Sequence, residues 1–449
     1  MNICVISNFT KTYLYDKIAR KIAKEGIQTY WIAVNKKLYR FLVDNYGAEK
    51  VLLINKKRIQ EPQAPVGEFK LNELIYGDRV LKHSPHEGLE YLRNIQRPVY
   101  DFLKNNEIRY TFGETTWAHE ILIHRISRDC QELNCQHLDL HSVRIPYKRF
   151  AFFPGGSQDR LLEVNQDTHW KGEILKAKKP DYAKIFDTQL AQASSIAGRL
   201  SRLKRFITSE NIDNQDPCLL SNPIKRLKYC SLEEWRKESY KKVKRYSFEE
   251  LQEQPYVFVG LHVQPEAAVD DLGRYYEDQL QNIKNIWRAL PNDWQLIVKE
   301  HTNAIGNRPP EFYEALQQLP NLKLVEESTN SYEIIRQAEL VVTVTGTLCY
   351  EAALMGVPSL TFVPMFFNYL NRCGRITLED LRAYNLKEIA EKLKQQPNNV
   401  ESFSAYLYRN TFEGDVIDPL TNASVLDDKN ISGIAKAMVS TLRPSLSLA

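Results

Sequence analysis

The sequence predicts an α/β protein of two Rossmann-like domains, each built on a parallel sheet and facing the other across a central cleft. Three observations carry this reading. Short β-branched apolar runs alternate with amphipathic stretches in both halves of the 449-residue chain, which is the mark of βαβ units. The chain is too long for one ordinary core. Polar residues and glycines recur where the apolar runs end, and open α/β sheets bind their ligands at those ends.

Taken in order, the first half places strands at 3–7, 29–34, 51–54, 109–112 and 137–141, with helical patterns over 13–24, 38–46, 88–105 and 117–132 between them. The middle, roughly 155–250, breaks the rhythm. It is polar, carries the basic clusters RLSRLKRF and KKVKRY, and reads as helices and loops closing the first domain. Alternation then returns, with strands at 256–263, 295–299, 322–325, 340–345 and 359–363 and helices over 275–290, 310–319, 331–337, 348–355 and 378–395. The expected division is a first domain over 1–250, a second over 251–400, and a terminal segment over 401–449. That segment's helix, near 431–442, is expected to pack back on the first domain.

Hydrophobic content of 43% and charged content of 26% suit a folded soluble chain. A net charge of +4 is small for this length and gives no reason to expect nucleic acid as a partner. Seven cysteines without metal-like or framework spacing point to a reducing compartment. The opening MNICVISNFTKTYLYDKIARKIAKEG lacks the basic-then-apolar order of a signal peptide and reads as a strand and a helix, so the fold is expected to begin at residue one. No apolar run reaches the roughly 18–20 residues of a membrane span. The expectation is therefore a cytoplasmic protein. The basic stretch 225–245 reads as a solvated helix face, with peripheral contact at the inner face of an anionic membrane as the runner-up.

The informative positions are the strand ends. In VVTVTGTLCYEAALMGVPSL (341–360) a core strand stops on Thr345-Gly346-Thr347 and a helix follows. The first amides of that helix have no partner within it, and they and the helix dipole favour an anion. The bland alternative is a capped turn with Thr347 as N-cap. The pattern is neither GxGxxG nor GxxxxGK[ST], which disfavours classical NAD and ATP sites. Glu351 lies one turn on, where a carboxylate can accept both hydroxyls of a ribose. His301 closes WQLIVKEH, and with Lys299 and Arg308 it suggests an anion site on the next loop. His262, in GLHVQPE, ends another strand and reads as a sugar or phosphate contact. In the first domain Asn8 follows one strand, and Glu114, Thr115 and Thr116 follow another in RYTFGETTWAHE. Glu114 is placed to act as a general base on an acceptor hydroxyl, against the plain alternative of an acid at a helix N-terminus. Asn8, Thr115 and Thr116 are the expected acceptor contacts. His119, His124, His137 and His141 lack a compact ligand spacing, and no HExxH or CxxC accompanies them, so neither a metal nor another cofactor is expected.

The run from YVFVGLHVQPE through WQLIVKEH to VVTVTGTLCYEAALMGVPSLTF resembles bacterial capsular polysaccharide biosynthesis proteins, a family that includes the Kdo transferases of capsule assembly and related GT-B glycosyltransferases. The resemblance covers about residues 255–365, and FGETTWAHEILIHRISRD is its best match in the first half. Members commonly read KEHP where this chain has Lys299-Glu300-His301-Thr302. The histidine that contacts nucleotide phosphate is therefore present, while the loop beyond it differs. Thr345, Gly346 and Thr347 match the family's phosphate-binding turn, and Glu351 matches the acid set against the donor ribose.

The resemblance implies a metal-independent GT-B glycosyltransferase. It would move a sugar from a nucleotide-activated donor, CMP-linked or UDP-linked, to a glycan or lipid-linked acceptor of a surface polysaccharide. Glu114 and His262 are the catalytic candidates, and Lys299, His301, Arg308, Thr345, Gly346, Thr347 and Glu351 the donor contacts. Three alternatives share the architecture: a sugar-nucleotide 2-epimerase, a CDP-glycerol-type polymerase, and a non-enzymatic nucleotide-sugar-binding scaffold of an export assembly.

Overall fold

The computed structural model describes residues 1–56, 64–165, 170–178, 213, 215–220, 223–251 and 254–443. Its strands in chain order are β1 (Asn2–Ile6), β2 (Gln28–Ala33), β3 (Val51–Leu53), β4 (Ile108–Phe112), β5 (Gln136–Ser142), β6 (Arg149–Pro154), β7 (Tyr256–Gly260), β8 (Gln295–Lys299), β9 (Leu322–Val325), β10 (Leu340–Thr343), β11 (Ser359–Thr361), β12 (Cys373–Arg375) and β13 (Phe412–Glu413). They form two sheets, ordered β13-β6-β5-β4-β1-β2-β3 and β12-β11-β10-β7-β8-β9. The second sheet is parallel throughout. The first is parallel from β3 to β5, and β6 and β13 close its edge antiparallel. This is the expected fold class, two α/β domains on parallel sheets.

Local sequence explains each layer. YVFVG of β7 is buried at all five positions, as a parallel strand covered by helices on both faces must be. QHLDLHS of β5 alternates in polarity, although His137 through Leu140 are all buried. Leu138 and Leu140 enter one core cluster, and pleating sends His137, Asp139 and His141 to the opposite face. Both sheets reverse their strand order once, between β1 and β4 and between β7 and β10. The crevice at such a switch point is where open α/β sheets hold ligands. The segments leaving those four strands carry Asn8, Glu114, His262 and Thr345.

The chain's last described helix, Asp428–Leu442, lies against helix Lys11–Ile22, with Ile431, Ile434, Met438 and Leu442 sharing a buried cluster with Leu14, Ile18 and Ile22. Helices Leu71–Gly77, Ala267–Asp270 and Val400–Arg409 were not expected, and two expected helices have other bounds. The one expected from 275 begins at Gln279, because the Asp278 side chain accepts from the Gln281 amide and caps it there. The one expected over 378–395 is two, Leu378–Ala383 and Leu386–Gln395, since Asn385 accepts from the Glu388 amide and starts a second helix. Strands β6, β12 and β13 were not expected. RLSRLKRF lies outside the described residues, and KKVKRY begins at the last residue of helix Pro223–Lys241.

Ile434 is fully buried between the terminal helix and the first sheet. Ile434→Ala should therefore lower the unfolding free energy by about 2–5 kcal/mol, read from urea denaturation. An unchanged midpoint would mean that the terminal helix is not docked.

Candidate functional site

The first domain's part of the site grows from the ends of β1, β4 and β5. Helix Lys11–Ile22 begins one turn after Asn8 and places the Lys11 ammonium on the Glu114 carboxylate. Lys11 is buried, while the Glu114 side chain is 28% exposed, so the acid faces open space with its counter-charge behind it. Burial pushes the Glu114 carboxyl up, but Lys11, with help from His141 and Arg79, outweighs that and holds it below the usual carboxylate range. Asn8 Nδ2 donates to Glu120 at 3.0 Å and to Glu114 at 3.4 Å. The helix after β4 starts at Ala118, and its N-terminal acid is Glu120, which accepts from the Thr116 and Trp117 amides at 2.9 and 3.1 Å. Glu114 is thus released from the plain capping role that the sequence left open for it.

Lys11, Glu114, His141, Arg144 and Asp418 line a cavity of about 220 Å³. His141 Nδ1 lies 2.9 Å from the Ser142 carbonyl oxygen, which can only accept, so Nδ1 carries the proton. Burial first, then Arg144 and Lys11, push this ring down to about 4, so it is neutral at pH 7 and its Nε2 is an acceptor. Asp139, two residues before it on the same face of β5, is pushed up to about 7 by burial and by Glu114. Its Oδ1 has no hydrogen-bond partner among the described residues.

The second domain's part is organised by His262. Its Nε2 accepts from the amides of Val344 at 3.2 Å and Thr345 at 3.5 Å, while Arg308 and Gln279 donate to its backbone carbonyl. Burial pushes the ring down to about 3, with His301 and Arg308 adding to it. The neutral form is the one able to accept both amides. Gly346 is the N-cap of helix Thr347–Leu354, and its amide is held by Thr343 Oγ1 at 2.9 Å. A Cβ on Gly346 would lie 3.1 Å from the His262 ring, tighter than most contacts. The amides of Val344, Thr345 and Gly346 are therefore already engaged. Those of Thr347 and Leu348, in the first helical turn, are the ones that lack an intrahelical acceptor.

Some expected residues come together and others do not. Thr347 is exposed at the helix start, and Glu351 is half-buried one turn along, beside the Tyr332 phenol. His301 is exposed, and its Nδ1 accepts from the Asn303 amide at 3.2 Å, which leaves Nε2–H as the donor in the neutral ring. Thr345 is buried, its hydroxyl donating to the Ala268 carbonyl at 2.8 Å. Arg308 departs from the expectation of a phosphate ligand. Its guanidinium is buried on Glu300 at 2.6 and 2.7 Å, and Tyr313 donates to the same carboxylate. Lys299 likewise turns aside, donating to the Thr329 carbonyl and to Ser331 Oγ. His262 is a buried positioning residue for the turn and not a group at the surface of the cleft. Thr115 packs inward toward the Gly155-Gly156 loop, while Thr116 lines the narrow pocket between the domains.

That narrow pocket joins the two parts. It is lined by Asp78, Arg79 and Thr116 from the first domain and by Glu266, Asp270 and Arg274 from the second. Arg274 bridges Glu73 and Asp271, and Arg125 donates to Glu73 at 2.7 Å. Burial pushes the Glu266 carboxyl up against the opposing pull of Arg144 and Arg79, both cations of the first domain. Helix Ala267–Asp270 carries the Ala268 carbonyl that holds Thr345, so the narrow pocket and the Thr345-Gly346-Thr347 turn share one wall. Sequence reading missed Lys11, Asp139, Arg144 and Asp418 as neighbours of Glu114. It had set His141 aside with the metal question, although its place directly after the apolar Leu140 of β5 was legible.

No family model and no curated protein matches the chain. Among solved structures it is similar to the KpsC beta Kdo 2,7 transferase of Thermosulfurimonas dismutans, at 11% identity over 96% of this chain and 100% of that one, with a TM-score of 0.36. It is similar to the KpsC beta Kdo 2,4 transferase of the same organism, at 12% identity over 75% and 88%, with a TM-score of 0.35. It is also similar to the UDP-GlcNAc 2-epimerase of Methanocaldococcus jannaschii, at 12% identity over 89% and 94%, with a TM-score of 0.27. Likeness of this degree leaves the chemistry to the chain's own residues.

The buried histidines make an acid-stability prediction. His119, His124 and His262 are each pushed by burial from 6.5 down to about 3. Between those values the unfolded chain binds protons that the fold refuses, so stability is whole above about pH 6.5 and lost as pH falls toward about 3. Buried carboxyls act in the opposite sense, Asp139 between 3.8 and about 7 and Glu120, Glu266 and Glu300 by being pushed above the usual carboxylate range, but His137 and His141 are pushed down as well and bring the histidines to five. The urea midpoint should be lower near pH 5 than near pH 7, and an unchanged midpoint would mean that these rings are already charged in the fold.

Proposed function

We propose that this chain is a GT-B glycosyltransferase of surface polysaccharide synthesis, moving a sugar from a nucleotide-activated donor to a glycan or lipid-linked acceptor. The sequence resemblance favours a CMP-linked donor, with UDP as the alternative. The observation that carries the reading is Glu114, an ionised carboxylate backed by Lys11 and lining a cavity at the first sheet's switch point, while the second sheet's switch point leads into a helix start whose first amides lack intrahelical acceptors.

In this reading the donor lies on the second domain. The amides of Thr347 and Leu348, the Thr347 hydroxyl and His301 Nε2–H receive the phosphate, and Glu351 accepts from the ribose hydroxyls. The acceptor enters the first-domain cavity. Its hydroxyl oxygen attacks the anomeric carbon, the bond from that carbon to the phosphate oxygen breaks, and the nucleotide leaves carrying the electron pair. Glu114 takes the hydroxyl proton. His262 keeps the turn in place without touching substrate, and Arg308 acts only through it. The charge of the departing phosphate meets preorganised donors, so the step as proposed runs without a bound metal.

The cluster of Glu114, Asp139 and His141 also suits a second reading, a sugar-nucleotide 2-epimerase, which needs acids and a histidine around the sugar. One experiment separates them. The purified chain is given candidate nucleotide sugars with and without acceptor glycan, and Glu114→Gln is run beside it. Transfer requires acceptor and should fall by about 10²–10⁴-fold in Glu114→Gln, with nucleotide affinity retained. Conversion of the free sugar nucleotide without acceptor would replace transfer by epimerisation, and binding with neither reaction would leave the scaffold.

A further inference from the structure

We infer that helix Pro223–Lys241 seats the protein on an anionic lipid surface. Ile224, Leu227 and Trp235 are spaced by three and eight residues, which brings them to one face of a helix, with Lys228 beside them. They are 76%, 54% and 53% exposed. The stripe runs about 16 Å along the axis at the rise of an α-helix.

The helix is held firmly by its other face. Tyr240 is buried in the second domain's core with its ring 5.0 Å from that of Tyr313, and Arg236 Nη1 donates to the Asn307 carbonyl at 2.7 Å. Gly306 lets the 301–309 loop press against it, since a Cβ there would lie 2.7 Å from Lys237 Cγ. The apolar stripe is thus presented outward by a docked helix.

Charge selects the occupant. The helix carries six lysines and arginines against three glutamates, with Lys237 and Lys241 paired to Glu233 and Glu238, and Lys242, Lys244 and Arg245 follow directly after it. A cationic helix with a tryptophan, an isoleucine and a leucine on its exposed face matches a headgroup layer, which takes the apolar side chains to shallow depth and attracts the cations. A protein partner of ordinary composition offers no such uniform anionic sheet. The loop that the helix grips follows β8 and carries His301. The inference stands on this surface alone and does not depend on the transfer reaction.

Co-sedimentation of the full chain with vesicles tests it. The protein should bind equimolar phosphatidylcholine–phosphatidylglycerol vesicles, release as salt is raised, and ignore vesicles of phosphatidylcholine alone. Leu227→Asn with Trp235→Asn should weaken binding by about tenfold or more, and Lys228→Glu should weaken it through charge alone. Both variants alter exposed positions, and an unchanged melting temperature confirms that they fold. Equal binding by the variants, or no binding to phosphatidylglycerol, overturns the inference. So does a wild-type dimer without vesicles that the double variant abolishes, because the face would then join two copies of the chain.

Discussion

A carboxylate in a sheltered cavity stays ionised only when a counter-charge is built in beside it, and Lys11 is that charge for Glu114. The pairing ties the end of β1 to the end of β4, the two strands between which the first sheet reverses its order. It requires helix Lys11–Ile22 to sit where it does, and that position is fixed by the apolar seam with helix Asp428–Leu442. The neighbouring Glu120 takes over the capping of helix Ala118–Asp129, and Asn8 spans the two acids. Each of these parts keeps Glu114 oriented into open space without making it a structural acid.

The second domain holds its helix start through an uncharged ring. Backbone amides must stay aimed in a fixed direction if a helix start is to receive an anion. A buried neutral imidazole fixes the turn just before that helix start by accepting from the Val344 and Thr345 amides, and a protonated ring could not. The buried Arg308–Glu300 pair holds the His262 backbone in turn. Breaking such a pair from one side would leave an uncompensated buried charge, whose cost is typically about 3–5 kcal/mol. Arg308 is therefore a structural cation at one remove from the turn it helps to hold.

What the sequence could reveal followed from what is local. Apolar periodicity located β1, β4, β7 and β10, and a strand end has a fixed place in a parallel sheet, so Asn8, Glu114, His262 and Thr345 were legible as residues of one rim. The partners of those residues were not. Lys11 reads as an ordinary helix cation until the fold brings it 103 positions away onto Glu114. Arg308 and Lys299 read as anion ligands because strand-end cations often are, and only packing shows that Glu300 and the Thr329 carbonyl claim them. β13 is two residues long and exists only because β6 offers it an edge. The break at Asn385 was visible as a capping residue followed three positions later by Glu388, but the apolar period ran across it and was followed instead.

The central claim is that the helix start at Thr347, with Glu351 one turn on, holds a nucleotide. The most direct measurement is a thermal-shift panel of CMP, CDP, UDP, GDP, ADP and NAD on the wild-type chain and on Glu351→Ala. A nucleotide at about 100 times its dissociation constant adds roughly 2.7 kcal/mol to the folded state. Stabilisation by one base class, lost in Glu351→Ala, is the expected result. Absence of a shift with every nucleotide, or a shift that survives the substitution intact, would contradict it.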